Sequence, residues 1–183
     1  MHYSLCDMIA DITQNSVEAG ASKITVDCIQ NPQSLNVTIT DNGSGMSKAT
    51  LERAKDPFYT DGTKHVGRKV GLGIPFLIQT AEETEGACDI QSTPGKGTTV
   101  FTRFNLENID TPPVGNISNL FFGIITFPGD FDMDIHRADE HRHLEYRLNK
   151  NEIKDALEGD LESAASLTLL KQFLDSKEQG GSV

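Results

Sequence analysis

Leu35-Asn-Val-Thr-Ile-Thr-Asp41-Asn-Gly-Ser-Gly-Met46 is the stretch on which the reading of this chain turns. Its first half alternates apolar Leu35, Val37 and Ile39 with polar Asn36, Thr38 and Thr40, the period of a strand with one buried face. Its second half ends that strand on a carboxylate and turns on two glycines. Without a Cβ, Gly43 and Gly45 let backbone come close to a planar ligand. Asp41 is then placed to accept a hydrogen bond from an exocyclic amine such as adenine N6. Taken alone, Asp-Asn-Gly-Ser-Gly reads more readily as an ordinary turn, so its neighbours decide.

Upstream, Ile24, Val26 and Cys28 alternate with Thr25 and Asp27, and Asn31-Pro32 breaks the chain before Leu35, so the two segments predict a hairpin. Leu5, Met8, Ile9 and Ile12 recur at helical spacing up to a stop at Gly20, which predicts an amphipathic helix over about 3–18. Asp7, Asp11, Asn15 and Glu18 share another side of that helix. A stripe of acids and an amide with no compensating lysine is unusual for a merely wet face. Downstream, Ser47 is the expected N-cap of a short helix over about 47–55.

Residues 56–73 contain Gly62, Gly67, Gly71 and Gly73 without a regular period, which predicts a mobile loop. A helix then opens at Gly73 and takes Pro75 in its first turn, where proline is tolerated. The free N–H groups and dipole of such a helix start suit a phosphate, and Lys64, Arg68 and Lys69 are bases close to it in sequence. Two other phosphate motifs fail: Arg68 and Lys69 stand where a P-loop after Gly62 and Gly67 needs Lys and Ser/Thr, and Phe76 replaces the third glycine of a dinucleotide fingerprint. Residues 87–92 and 99–104 read as strands around Thr93-Pro-Gly-Lys-Gly97. The order α-β-β-α-loop-α-β-β predicts an α+β fold, a two-layer α/β sandwich with a mixed, mostly antiparallel sheet covered by helices.

Asp11-Ile-Thr-Gln-Asn15-Ser-Val-Glu-Ala-Gly-Ala21, Asp41-Asn-Gly-Ser-Gly-Met46, Asp56-Pro-Phe-Tyr-Thr60 with Val70-Gly-Leu-Gly-Ile74, and Pro94-Gly-Lys-Gly-Thr-Thr99 together resemble the GHKL (Bergerat-fold) ATP-binding family, which includes gyrase, MutL proteins, a class of heat-shock chaperones and histidine kinases. The resemblance covers about residues 3–105. It implies ATP and Mg²⁺ as cofactors, with Asn15 completing the Mg²⁺ shell and Asp41 binding adenine N6 with help from Thr98. It also implies that Gly43, Gly45 and Met46 border the base, and that Lys64, Lys69, Gly71, Leu72 and Gly73 serve the phosphates under a lid spanning about 57–70. Phe58 matches the lid aromatic or is a buried structural Phe. In hydrolytic members, and in a serine-kinase branch, a glutamate four residues before the asparagine is the general base. Here Asp11 stands there, one methylene shorter, either as base or as a Mg²⁺-water ligand, and Asp7 competes for a metal or water role.

The chain is acidic, with 27 Asp and Glu against 16 Lys and Arg and a formal charge of -11, most of the excess lying beyond residue 105. That charge argues against a nucleic-acid partner. The longest apolar run, Leu120–Phe127, is far shorter than the roughly 20 residues of a membrane span. Cys6, Cys28 and Cys88 have no C-x-x-C pair and read as reduced thiols of a cytoplasmic protein. Asp110-Thr-Pro-Pro113 marks the expected boundary between a histidine-kinase-like ATP-binding domain, 1–108, and an acidic C-terminal extension, 109–183. The extension is expected to hold an apolar segment at 116–125, a hairpin around Ala138–His141 and helices near 151–158 and 163–175.

His136, His141 and His143 with Asp132, Asp134 and Asp139 invite a metal site, although alternation favours a solvated acidic hairpin. The run 119–127 either caps the sandwich or faces a partner. No phosphoacceptor helix or large transducer segment is recognised, so a free-standing ATP module is expected. Two functions follow: an ATPase or protein kinase of the GHKL type, or an inert nucleotide-gated interaction module. The expected partners are ATP and ADP and a protein bound through the C-terminal region, with a homodimer left open.

Overall fold

The computed structural model describes residues 4–57, 73–157 and 161–180. Helix α1 runs Leu5–Glu18 and is followed by the hairpin β1 (Lys23–Gln30) and β2 (Ser34–Asp41). Helix α2 (Lys48–Lys55) begins after Ser47, whose hydroxyl accepts from Thr50 N, as the sequence predicts. Then come α3 (Gly73–Glu83), β3 (Ala87–Thr93) and β4 (Gly97–Asn105). The apolar segment beyond the Pro112-Pro113 pair is helix α4 (Ile117–Ile125), and β5 (Asp132–Asp139) and β6 (Leu144–Asn149) form the second hairpin. Helices α5 (Lys150–Ala156) and α6 (Ala164–Glu178) follow.

All six strands form one sheet in the order β3-β4-β2-β1-β5-β6. Every neighbouring pair is antiparallel except β1 and β5, which run parallel with Ile24 opposite Met133 and Val26 opposite Ile135. The α+β sandwich with a mixed, mostly antiparallel sheet is therefore the observed architecture.

The alternation read from sequence sets the two faces. Ile24, Val26, Cys28, Leu35, Val37, Ile39, Val100, Phe104, Met133 and Ile135 are all buried and share one core with Leu5, Ile9 and Ile12 of α1 and Phe121 and Ile124 of α4. The other face holds Asp27, Asp134 and His136, half-buried and polar. His136 sits between Asp27 (Nδ1 to Oδ1, 3.3 Å) and Glu145 (Nε2 to Oε1, 3.0 Å), while His141 and His143 are exposed near the β5–β6 turn.

Helix α1 carries the polar stripe, and its start is pinned. Leu5 N and Cys6 N donate to the carbonyls of Pro113 and Val114 at 2.9 Å, satisfying two N–H groups that a helix start leaves unpaired. Ser4 completes the cap by accepting from Asp7 N at 3.2 Å, and its hydroxyl donates to the Asp7 carboxylate at 2.8 Å. Asp7 is thus engaged at the cap, one end of the helix away from Asn15.

Candidate nucleotide site

Asp41 lies at the end of β2 on the helix-covered face, opposite Ile24 of β1 and Thr98 of β4. Only 7% of it is exposed, and both carboxylate oxygens accept hydrogen bonds. Oδ1 accepts from Gly43 N at 2.8 Å and from Thr98 N at 3.3 Å, and Oδ2 accepts from the Ser16 hydroxyl at 2.8 Å. Three donors satisfy a carboxylate that would be costly to bury without partners. A carboxylate oxygen has room for about two hydrogen bonds, so Oδ1 is filled and Oδ2 keeps one lone pair for a ligand.

Asp41 and Thr98 line an open cavity of about 530 Å³ together with Leu51 of α2, Ile90 and Ser92 of β3, and Lys48 and Lys96. The lining is mostly polar, with Leu51 and Ile90 as its large apolar side chains, and a cavity of this size can hold a small ligand.

The two glycine segments are built against each other. Gly45 has φ +61°, and a Cβ there would overlap the Thr93 carbonyl; Gly97 has φ +110°, and its Cβ would overlap the carbonyl of Asp41. Both positions need glycine, for a left-handed backbone and for close approach at once. At Gly43 a Cβ would sit 2.8 Å from that of Ala19 and 3.0 Å from Asp41 Oδ1. The seam is closed by Gly95 N donating to Ser44 O (2.7 Å) and by Ser92, whose hydroxyl accepts from Met46 N (2.8 Å) and pairs with that of Thr98 (2.9 Å). The loop holding Gly43, Gly45 and Met46 is thereby fixed to the β3–β4 turn, and Thr98 is placed beside Asp41.

On α1, Asn15 is exposed, and its carboxamide has no hydrogen-bond partner among the described residues. Asp11, one turn earlier, packs against the first residue of α3: a Cβ at Gly73 would overlap its Oδ2 and lie 3.2 Å from its Cγ. The structure so brings Asp11 to the helix start where the sequence places a phosphate. Lys64, Lys69, Gly71, Leu72, Phe58 and the lid expected over about 57–70 lie outside the described residues, apart from residue 57.

Sequence reasoning missed Ser16, Ser92, Lys48 and Lys96. Ser16 had a signal, since it follows Ile9 and Ile12 on the buried stripe, where a hydroxyl needs a partner; it is 4% exposed. Lys96 had one in lying within the Pro94–Thr99 stretch; Lys48 had none, because surface lysines are common and only the fold brings the two to one cavity.

An Mg²⁺ ion takes oxygen ligands and keeps several waters or phosphate oxygens, so a single unpartnered protein carboxamide at Asn15, beside the Asp11 carboxylate, fits such an ion. Among the described residues no group of three or more His, Cys, Asp and Glu is arranged to hold a metal. No helix among them is long and apolar enough to cross a membrane.

Sporulation kinase A of Bacillus subtilis is 34% identical over 96 residues, which is 51% of this chain and 15% of the kinase. Sporulation kinase B of the same organism is 31% identical over 98 residues, 50% of this chain and 21% of the kinase. The chain therefore spans about a fifth or less of the length of these kinases. The catalytic domain of the histidine kinase ThkA superposes with a TM-score of 0.42 at 17% identity, covering 54% of this chain and 65% of that domain. The model of the histidine kinase-, DNA gyrase B- and HSP90-like ATPases matches residues 3–108, more than half of the chain and all of the site described above, and the protein belongs to that family.

Proposed function

We propose that the chain binds ATP with Mg²⁺ in the Asp41 cavity and acts on its γ-phosphate, releasing it to water or passing it to a protein partner. The observation that carries the proposal is the Asp41 carboxylate, buried and held by three donors with one lone pair of Oδ2 left for the cavity. That lone pair suits the adenine N6–H, and Leu51 and Ile90 offer apolar surface to the ring.

The phosphates extend towards the start of α3, since a helix N-terminus and its dipole favour an anion. Asn15 would hold Mg²⁺, which when bound neutralises charge on the phosphate oxygens. Asp11, packed on Gly73, reaches the same place and accepts the proton of the attacking water or hydroxyl. Lys48 and Lys96 bring positive charge to the cavity for the nucleotide.

ATP labelled in the γ-phosphate tests this. Label released as phosphate means hydrolysis, and label on an added protein means transfer. Asp11→Asn is expected to lower either rate by roughly 10²–10⁴-fold, the usual contribution of a positioned base, with ATP affinity nearly unchanged. Unchanged turnover in Asp11→Asn removes Asp11 from the chemistry. Tight ATP binding with no turnover in the parent chain leaves a nucleotide-gated module instead.

A further inference from the structure

The edge of the sheet far from the Asp41 cavity is built for a partner. β6 ends the strand order, so one of its edges has no strand beside it among the described residues. Edge strands are ordinarily blunted by proline, lysine, a bulge or an inward-pointing charge, because their free N–H and C=O groups recruit another strand. β6 has no proline, lysine or bulge, and its two charges, Glu145 and Arg147, are of opposite sign and so can pair across a two-fold axis. Tyr146 and Leu148 are buried on the core face with Leu144 half-buried beside them, and Glu145 and Arg147 are exposed on the other.

Leu144-Glu-Tyr-Arg-Leu148 is also a chemical palindrome. When a second β6 pairs antiparallel about a two-fold axis at Tyr146, Leu144 meets Leu148 of the other copy and Glu145 meets Arg147, each twice. Directly opposed opposite charges and apolar pairs are what stabilise an antiparallel ladder. Other registers lose the match. A shift of one residue sets Arg147 against Tyr146, and an in-register parallel pairing sets Glu145 beside Glu145. Arg147 has no charge partner among the described residues, and Glu145 pairs only with His136.

Strand pairing over five residues alone covers less than the roughly 800 Å² per partner of a stable interface. The surface beside the edge supplies more. Leu148, Ile153, Leu157, Leu169 and Phe173 line an open, mainly apolar groove of about 420 Å³ between α5, α6 and β6. Leu169 and Phe173 are 55% and 40% exposed, unusual for large apolar side chains in one patch.

We propose that β6 and this groove form an isologous homodimer interface, with β6 of two copies paired antiparallel about Tyr146. The two sheets then become one, twice as wide as the six strands of a single copy, with an Asp41 cavity at each far end. Dimerisation leaves both cavities open, and the proposal stands independently of the nucleotide chemistry.

Sedimentation velocity on the full chain tests it, with circular dichroism and the melting temperature confirming that each variant is folded. The parent chain is expected at twice its 20.0 kDa at tens of micromolar. Arg147→Glu opposes glutamates twice and is expected to weaken the dimer at least about tenfold. Glu145→Arg opposes arginines and is expected to do the same. The two single variants mixed in equal amounts, and the double variant E145R/R147E, are expected to recover the dimer because each restores opposite charges across the axis. A parent chain that stays monomeric at millimolar concentration overturns the proposal. So does an Arg147→Glu dimer as tight as the parent, or single variants that fail to complement each other.

Discussion

Replacing Asp41 by asparagine tests the site through the direction of one hydrogen bond. In the structure Oδ1 accepts from two backbone N–H groups, of Gly43 at 2.8 Å and Thr98 at 3.3 Å. An asparagine must therefore keep its oxygen there, and its NH₂ takes the place of Oδ2. The Ser16 hydroxyl, 2.8 Å away, is both donor and acceptor and can turn to accept. The fold is expected to survive with a melting temperature within a few degrees of the parent.

At the cavity, however, an acceptor becomes a donor. ATP loses a charge-assisted hydrogen bond of about 1.5–3 kcal/mol, so its Kd is expected to rise about 10- to 150-fold. Inosine triphosphate carries a 6-oxo acceptor in place of the 6-amino donor. It is repelled by the Asp41 carboxylate and matched by the asparagine amide. The ratio of ATP to inosine triphosphate affinity, measured by titration calorimetry on both proteins, is therefore expected to fall at least as far as the ATP affinity does. An Asp41→Asn protein with a native melting temperature and an unchanged ratio would refute the assignment of Asp41 to the base.

Three further outcomes follow from the same geometry. Ser16→Ala removes a donor from a buried carboxylate and is expected to cost about 1.5–3 kcal/mol in urea unfolding, together with weaker ATP binding; a loss confined to a few tenths would show that water replaces the hydroxyl. Gly97→Ala forces a side chain into φ +110° and onto the Asp41 carbonyl, and is expected to destabilise by more than about 2 kcal/mol, read from the urea midpoint. Lys150 lies within the fold, its Nζ donating to Phe127 O at 2.9 Å and standing 3.5 Å from the centre of the Phe131 ring, and burial lowers its pKa from 10.5 to about 8. Between those values the unfolded chain binds more protons at this site, so the Lys150 contribution to stability rises with pH. The stability of Lys150→Met relative to the parent is accordingly expected to decline between pH 8 and 10.5 and to be flat below that window.

What the sequence shows of this protein and what it hides divide along a physical line. Period-two alternation and the helical stripe report which face of an element is buried; they find the β1–β2 hairpin and place α1, β3 and β4 to within about two residues at each end. The Asp41 site is legible for the same reason: carboxylate, turn and glycines are contiguous, and their chemistry is local. Periodicity does not say which strand lies beside which. Nothing in 131–139 announces that β5 runs parallel to β1, since that pairing is made by two segments more than a hundred residues apart.

Arg137 shows how far the rule reaches. Met133 and Ile135 predict that position 137 also faces the core, and it does: Arg137 is 1% exposed. A buried guanidinium is tolerable only if it is paired and hydrogen-bonded, and its partners come from three elements. Asp139 (3.1 Å) comes from its own strand, Gln30 (2.9 Å) from β1 and Glu178 (3.4 Å) from the end of α6. The alternation therefore holds even where its chemical premise fails, because the burial cost is offset by groups that no local pattern can list.

The stretch Asp110-Thr-Pro-Pro113 makes the complementary point. Its composition reads as a connector, yet the carbonyls of Pro113 and Val114 bond the first N–H groups of α1, the helix that carries Asp11, Asn15 and Ser16. Prolines cannot donate to a ladder, but their carbonyls remain full acceptors. An extended, Pro-restricted segment presents those acceptors at fixed spacing to a helix start that must bond something. The residues beyond 110 thereby help to set where α1 begins, and with it where Ser16 meets Asp41.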